Sequence, residues 1–211
     1  MNGFVFLDYL LVAAAVAGSW KLFHTAQPPP AGAKVKQQGL FLPPAPAEAA
    51  SQSPRSVDVQ TSLNDTLKRI CVASGYASIE NFLDGAKHAY EEVIKGFASG
   101  ELMPVTHLLS RSVYEDFALA IAERDERGES EELMFIGFRA AEVTGAGIAR
   151  GCAWIEVRFA GDLISVTRDR EGRCIAGHPA KIVSVAELWT FERELRSSQP
   201  HWVLTATEPD E

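Results

Sequence analysis

The chain has 211 residues, 46% of them hydrophobic, enough for one ordinary domain plus extensions and a core that needs no disulfides. Three cysteines without C-x-x-C spacing argue against a disulfide scaffold and fit a reducing compartment. The formal charge of −8 divides into +1 over residues 1–62 and −9 over the remainder, and an acidic domain of that kind is a poor general nucleic-acid binder.

The first element is the apolar run FVFLDYLLVAAAVAGSW, residues 4–20. As a helix rising ~1.5 Å per residue it spans roughly 25 Å, short of the ~30 Å hydrocarbon core, and Trp20 and Lys21 can cover the deficit at the interface. Asp8 lies near one end, where an acid costs less than at mid-membrane. No Lys or Arg precedes the run, while Lys21, Lys34 and Lys36 follow it, so the expectation is an uncleaved single-pass anchor over residues 1–26 with the C-terminal side facing the cytoplasm. A cleaved signal peptide ending at Ala15-Val16-Ala17 is the competitor, and the missing basic n-region counts against it. Residues 27–62 contain PPPAGAK and LPPAPAEAASQSPRS and read as a disordered, extended linker. Its apolar island, Gly39-Leu40-Phe41-Leu42, is either an accident of composition or a short docking motif.

The folded domain is expected over residues 63–208, with an acidic tail at 209–211. Leu63, Leu67, Ile70 and Cys71 share one helical face, Gly75 ends that helix, and Ser78 can cap the next. The second helix carries a broad stripe from Phe82 through Ala86, Tyr90 and Val93 to Phe97, closed by Gly100. A short helix near residues 104–109 follows, and Ser112 with Glu115 reads as a capping box opening a helix that turns Val113, Phe117 and Ile121 inward. The acidic run ERDERGESEE, residues 123–132, reads as a solvated helix end and loop.

Beyond it the period falls from 3.6 to 2. Met134, Ile136, Phe138 and Ala140 are expected on one face, and Ala153, Ile155, Val157 and Phe159 on one side of the next strand. Trp154, Glu156 and Arg158 then point the other way. A turn is expected at 169–172, and strands over 182–193 and 201–207 complete the set. Helices first and antiparallel strands afterwards predict an α+β fold, with N-terminal helices covering one sheet face.

Parity places Val185, Glu187, Trp189 and Phe191 on one face of the fourth expected strand region, and Trp202 with Leu204 on one side of the last. With Tyr90 and Phe97 from the helix, Val185, Glu187, Trp189, Phe191 and Trp202 form the expected pocket wall. A carboxylate among aromatics must be solvated, paired or functional. Glu187 is thus either a rim group or a polar group inside the pocket, and a general base there would need His88, His107 or Asp116 as partner. Trp154, Glu156 and Arg158 form the expected partner surface, unless a terminal segment covers the indole. GAGIARG, residues 145–151, has neither the spacing nor the following helix of a dinucleotide loop, and the five histidines have no metal-ligand spacing. No catalytic residue, cofactor or metal is assigned.

FLDGAKHAYEEVIKGFASGEL, LLSRSVYEDFALAIAER, AWIEVRF, VTRDREG and LWTFERELRSSQPHWVLTAT, in that order and spacing, closely resemble the Tim forty-four-like (Tim44-like) domain family. The resemblance implies a cone-shaped fold of the nuclear-transport-factor-two-like type, in which a curved antiparallel sheet and helices enclose an apolar pocket. It also implies association with the inner membrane, including cardiolipin in the mitochondrial relatives. The anchor-plus-linker layout is similar to membrane-tethered α-proteobacterial members of the TimA type. Two departures are Glu187, where the family usually has Asp, and Pro200-His201-Trp202, where it has P-N-W.

The function this implies is a non-enzymatic adaptor anchored in the inner (cytoplasmic) membrane, presenting the domain to a membrane or chaperone protein partner, with protein translocation or membrane-protein handling as one version of the role. The alternatives are a hydrophobic-ligand or lipid-binding membrane module and, third, a small enzyme with Glu187 as general base.

Overall fold

A computed structural model describes residues 55–75, 78–197 and 201–210, with side chains from residue 62 onward. The expected anchor, most of the linker and the island at 39–42 lie outside the described residues. Among the described residues no helix is long and apolar enough to cross a membrane.

Helix α1, Arg55–Ser74, starts ahead of the Leu63 suggested by periodicity, inside the stretch assigned to the linker. Its early turns are mostly polar, so hydrophobic period is silent on them, and no Gly or Pro interrupts them. Leu67 and Ile70 are buried, and Gly75 follows at φ 71°. In α2, Ile79–Ser99, the Ser78 hydroxyl accepts the Asn81 N–H at 3.4 Å, and Gly100 closes the helix at φ 77°.

A 3-10 helix, Met103–Leu108, leads to α3, Arg111–Arg127. Its cap is Ser110 rather than Ser112: the Ser110 hydroxyl accepts the Val113 N–H at 3.3 Å, while Glu115 pairs with Arg111 at 2.7 Å. The cause is tertiary. Leu109 bridges Leu204, and the Ser110 N–H donates to the Leu204 carbonyl at 2.9 Å, so the chain is held extended at Leu109 and Ser110 and turns helical from Arg111.

Five strands follow: β1 Ser130–Ala149, β2 Cys152–Arg168, β3 Cys174–Gly177, β4 Val183–Glu194 and β5 Val203–Pro209. They form one antiparallel sheet in the order β1-β2-β4-β5, with β3 beside the C-terminal end of β2, beyond the last β4 pair. β3 escaped the sequence reading because four residues are too few for an alternation signal. β5 runs to Pro209, the first residue of the expected tail, and Asp210 just beyond the strand is tied to the sheet by Arg158.

β1 and β2 join through Arg150-Gly151, at φ 51° and 85° with Ala149 opposite Cys152. Positive φ at both loop positions is the two-residue hairpin whose twist suits the strands, and asparagine tolerates the first position better than arginine. Arg150→Asn is expected to add about 0.5–1 kcal/mol to unfolding stability. A raised urea midpoint at unchanged slope is the check; an unchanged midpoint would mean that Arg150 is relaxed in this turn.

Bulges interrupt β1 between Phe135 and Gly137, Phe138 and Ala140, and Val143 and Gly145. Each extra residue shifts the alternation and bends the strand. The expected shared face of Met134, Ile136, Phe138 and Ala140 is therefore corrected. Phe135 and Phe138 turn inward onto Tyr90, with ring centroids at 5.7 and 5.3 Å, while Met134 and Ile136 face out, 64% and 50% exposed.

The bent sheet curves around the helices, which pack on its inner face. There Ile155, Val157 and Phe159 of β2 lie opposite Phe191, Trp189 and Glu187 of β4. Phe82 of α2 meets Phe191 and Trp202 at 5.9 and 5.0 Å, and Phe97 meets Phe117 of α3 at 5.1 Å. The molecule is α+β, with its core between two layers.

Candidate functional site

Two places depart from a plain core: a charged cavity at one end of the inner face, and the outer face of the sheet. On the inner face Glu187 accepts a hydrogen bond from Trp189 Nε1 at 3.0 Å and another from the Tyr90 hydroxyl of α2. Alternation on β4 sets Glu187 and Trp189 side by side, and the α2 stripe brings Tyr90 over both. Burial pushes the Glu187 carboxyl above its ordinary value, and the two donors oppose that push. Burial, with Glu187 beside it, holds the Tyr90 phenol far above its usual range, so Tyr90 keeps its proton and donates.

Beside this trio is a cavity of about 100 Å³. Arg124 of α3 and Glu131 of β1 also line it, with Ser165 and Thr167 of β2. Arg124 Nη1 donates to Glu131 Oε2 at 2.9 Å and Nη2 to the Phe97 carbonyl at 3.0 Å, and the guanidinium stands 5.5 Å from the Phe97 ring centroid. Pockets that take drug-sized ligands run roughly 300–1,000 Å³, whereas water occupies ~30 Å³ in the liquid. The cavity therefore has room for a few waters and is too small for a lipid chain.

On the outer face, successive rungs read Gly147–Trp154–Glu192, Gly145–Glu156–Thr190 and Glu142–Arg158–Leu188 across β1, β2 and β4. The Trp154 indole lies on the backbone of the two glycines: a Cβ on Gly147 would meet Nε1 at 2.5 Å, and one on Gly145 would meet Cζ3 at 3.1 Å. GAGIARG is thus the bed of this ring and the start of the hairpin. Glu156 accepts from the Thr144 hydroxyl at 2.6 Å, and Arg158 pairs with Asp210, whose N–H is bonded to the Ala186 carbonyl at 3.0 Å. The helical members of the buried core pack with inward residues, so none of the described helices roofs the Trp154 face.

The order of elements, the helix-covered curved sheet and the aromatic inner face agree with a sequence-profile match to the Tim44-like domain over residues 64–209, more than half of the chain. The chain belongs to the Tim44-like domain family. No curated protein matches it significantly. Among solved structures, it is similar to the intermembrane-space region of the chloroplast protein ARC6, with TM-score 0.38 and 12% identity over 58% of this chain and 95% of that one. It is also similar to a periplasmic fragment of TraM, with TM-score 0.37 and 10% identity over 63% and 96%.

In this Tim44-like domain, Tyr90, Phe97, Val185 and Glu187 line the cavity, while Trp189, Phe191 and Trp202 lie in the packed core outside it. The cavity occupies the Val185 end of β4, and the other aromatics lie toward its opposite end. Neither exposed His88 and His107 nor half-buried Asp116 lines the cavity. Sequence reasoning missed Arg124 and Glu131 by treating 123–132 as solvated. The signal was present: Arg124 continues the buried stripe of Val113, Phe117 and Ile121 along α3. On the outer face, Trp154, Glu156 and Arg158 do come together, and Glu142 and Glu192 join them at the same parity.

A pH dependence follows from Glu187. Its folded-state pKa lies above its unfolded one, ordinarily 4.5, so its contribution to stability is complete below that value and fades as pH rises through the folded-state value. Glu187→Gln keeps an oxygen acceptor for Tyr90 and Trp189 but has no charge to desolvate. The variant is expected to gain stability at neutral pH, about 1.4 kcal/mol for each pH unit separating the two pKa values, and to lose this part of the pH slope. Urea midpoints of both proteins between pH 4 and 8 test it; parallel profiles would sink it.

Proposed function

We propose that the protein is a non-enzymatic adaptor, anchored in the inner membrane by residues 1–26, which presents its Tim44-like domain on the cytoplasmic side to a protein partner. The observation that carries this reading is the Trp154 face: a half-buried indole on a glycine bed, set on a sheet surface that none of the described helices covers. Tryptophan on such a surface is a frequent anchor of protein interfaces. The −9 charge beyond residue 62 adds long-range selection among partners. A short tether raises the partner's effective concentration to the order of millimolar, so a weak contact at this face is sufficient. Membrane handling or translocation of proteins is a role such an adaptor would serve.

The cavity beside Glu187 supports this reading over a lipid carrier, because it is about a third of the smallest ordinary ligand pocket. The larger hollow of about 490 Å³ between α1 and the start of α2 is a surface cleft open to solvent. The interior supports the adaptor over an enzyme as well, because both Tyr90 and Trp189 hold Glu187 from within the core. The test is photocrosslinking in native membranes, with a photoreactive residue at Leu188 on the outer face or at exposed Lys68 on α1. Protein adducts from position 188 and few from 68 are expected, with the intact protein resisting extraction by alkaline carbonate. Equal labelling from both positions would remove the outer face as the docking surface, and release by carbonate would remove the anchor.

A further inference from the structure

The outer face has a charge pattern that specifies its partner. Around Trp154, Glu142, Glu156, Glu192 and Glu208 share the surface, and among the described residues none of the four is in an ion pair. The arginines of this face are already committed: Arg158 to Asp210, Arg139 to Asp162 and Arg168 to Glu132. Arg150, at the hairpin tip, also makes no ion pair with the four carboxylates. The surface therefore presents uncompensated negative charge around an aromatic ring.

The placement of that charge matters more than its amount. Above Gly145, Glu156 Oε1 and Trp154 Cζ3 approach the same point, at 3.4 and 3.1 Å from a Cβ built there, so one carboxylate lies at the edge of the indole. Glu192 is directly opposite Trp154 on the neighbouring strand. Thr144 fixes Glu156 by its 2.6 Å hydrogen bond, and the glycines fix the plane of the ring. A cation over the indole would feel the negative ring face and the Glu156 carboxylate together, with Glu192 across β2 adding to the negative field. Leu188, one rung beyond Thr190 on β4, offers an apolar contact alongside.

We propose that this face receives a cationic segment of a partner polypeptide, with one Lys or Arg side chain seated on Trp154 beside Glu156 and the segment running on across β2 toward Glu192. The proposal rests on the adaptor reading above and adds the chemistry of the partner. A second copy of the chain is a poor occupant, because it would bring the same carboxylates to face these.

The experiment uses the full-length protein and an acetylated tetra-arginine amide as probe, with a tetra-glutamate peptide as control, titrated calorimetrically. Saturable binding of the arginine probe below about 1 mM is expected at low salt, at least tenfold weaker in 0.5 M salt, and none of the control. The isosteric pair Glu156→Gln and Glu192→Gln leaves the packing and the Thr144 bond intact and should weaken the probe about tenfold. Trp154→Leu should weaken it at least as much. No saturation with the wild type, or equal affinity in the glutamine variant, overturns the proposal. Tighter binding after Lys34→Gln and Lys36→Gln would assign the face to the chain's own linker and overturn it too. If Leu188 adducts in membranes persist in the glutamine variant, the cationic partner is wrong and the adaptor reading stands. If the wild type yields no adducts at all, the adaptor reading is what fails.

Discussion

Trp189→Ala is expected to lower unfolding stability by about 3–5 kcal/mol. Trp189 is fully buried and packs against Tyr90 at 4.6 Å, Phe159 at 5.8 Å and Phe191 at 6.2 Å between ring centroids. Removing it opens a void among three other rings that α2 and two strands hold in place, so little collapse can refill it. It also deprives Glu187 of its indole donor and leaves Tyr90 to satisfy the carboxylate. Trp189→Phe separates the two losses. It keeps most of the ring area and removes the N–H, which is expected to cost about 1–3 kcal/mol. Urea denaturation followed by far-ultraviolet circular dichroism measures both. A loss below about 1.5 kcal/mol for the alanine variant would show that this cluster does not dominate the core.

The second large effect is expected at Arg124. Arg124→Met should cost about 3–5 kcal/mol, because it leaves Glu131 without its cation in a partly enclosed site and the Phe97 carbonyl without its donor. Methionine fills part of the space over the Phe97 ring, so the loss is electrostatic more than steric. The companion variant Arg124→Met with Glu131→Leu removes both charges, and apolar replacement of a buried pair is often neutral or stabilising. Most of the stability should return, although Ser165 also loses its 3.2 Å partner Glu131. A double variant as unstable as the single one would refute the account, since the cause would then be the shape of the Arg124 side chain and not the stranded carboxylate.

The two layers of this domain differ in how readily their sequences give them away. On β2 and β4 the strict alternation of Ile155, Val157 and Phe159, and of Glu187, Trp189 and Phe191, put the right side chains inward, because β4 pairs with β2 without a register shift over Cys152–Leu163. Ser78, Gly100 and the Phe82–Phe97 stripe marked α2 for similar local reasons. β1 did not yield to the same reading. Its bulges at Ile136, Arg139 and Thr144 depend on how it lies against β2, and the local hints are slight: Gly137 and Gly145, each directly after a bulge. Likewise Ser112 looked like the better cap until Leu109 paired with Leu204, nearly a hundred residues away. The contacts that build the cavity, Tyr90 with Glu187 and Arg124 with Glu131, join different elements, and single-strand parity cannot foresee them. Trp154 was legible by parity, but its seat was not. That required Gly145 and Gly147 to come opposite β2.

The three irregularities in β1 also bear on what the molecule avoids. Among the described residues β1 is paired along one margin, to β2, and its other margin presents free backbone donors and acceptors over a span of twenty residues. A straight margin of that length would invite another chain to zip alongside and grow into fibrils. The inserted residues break its hydrogen-bonding cadence into short pieces, each too brief to hold an intruder in step. A protein can thus keep a long sheet boundary open, even at high concentration, and still remain unpolymerised.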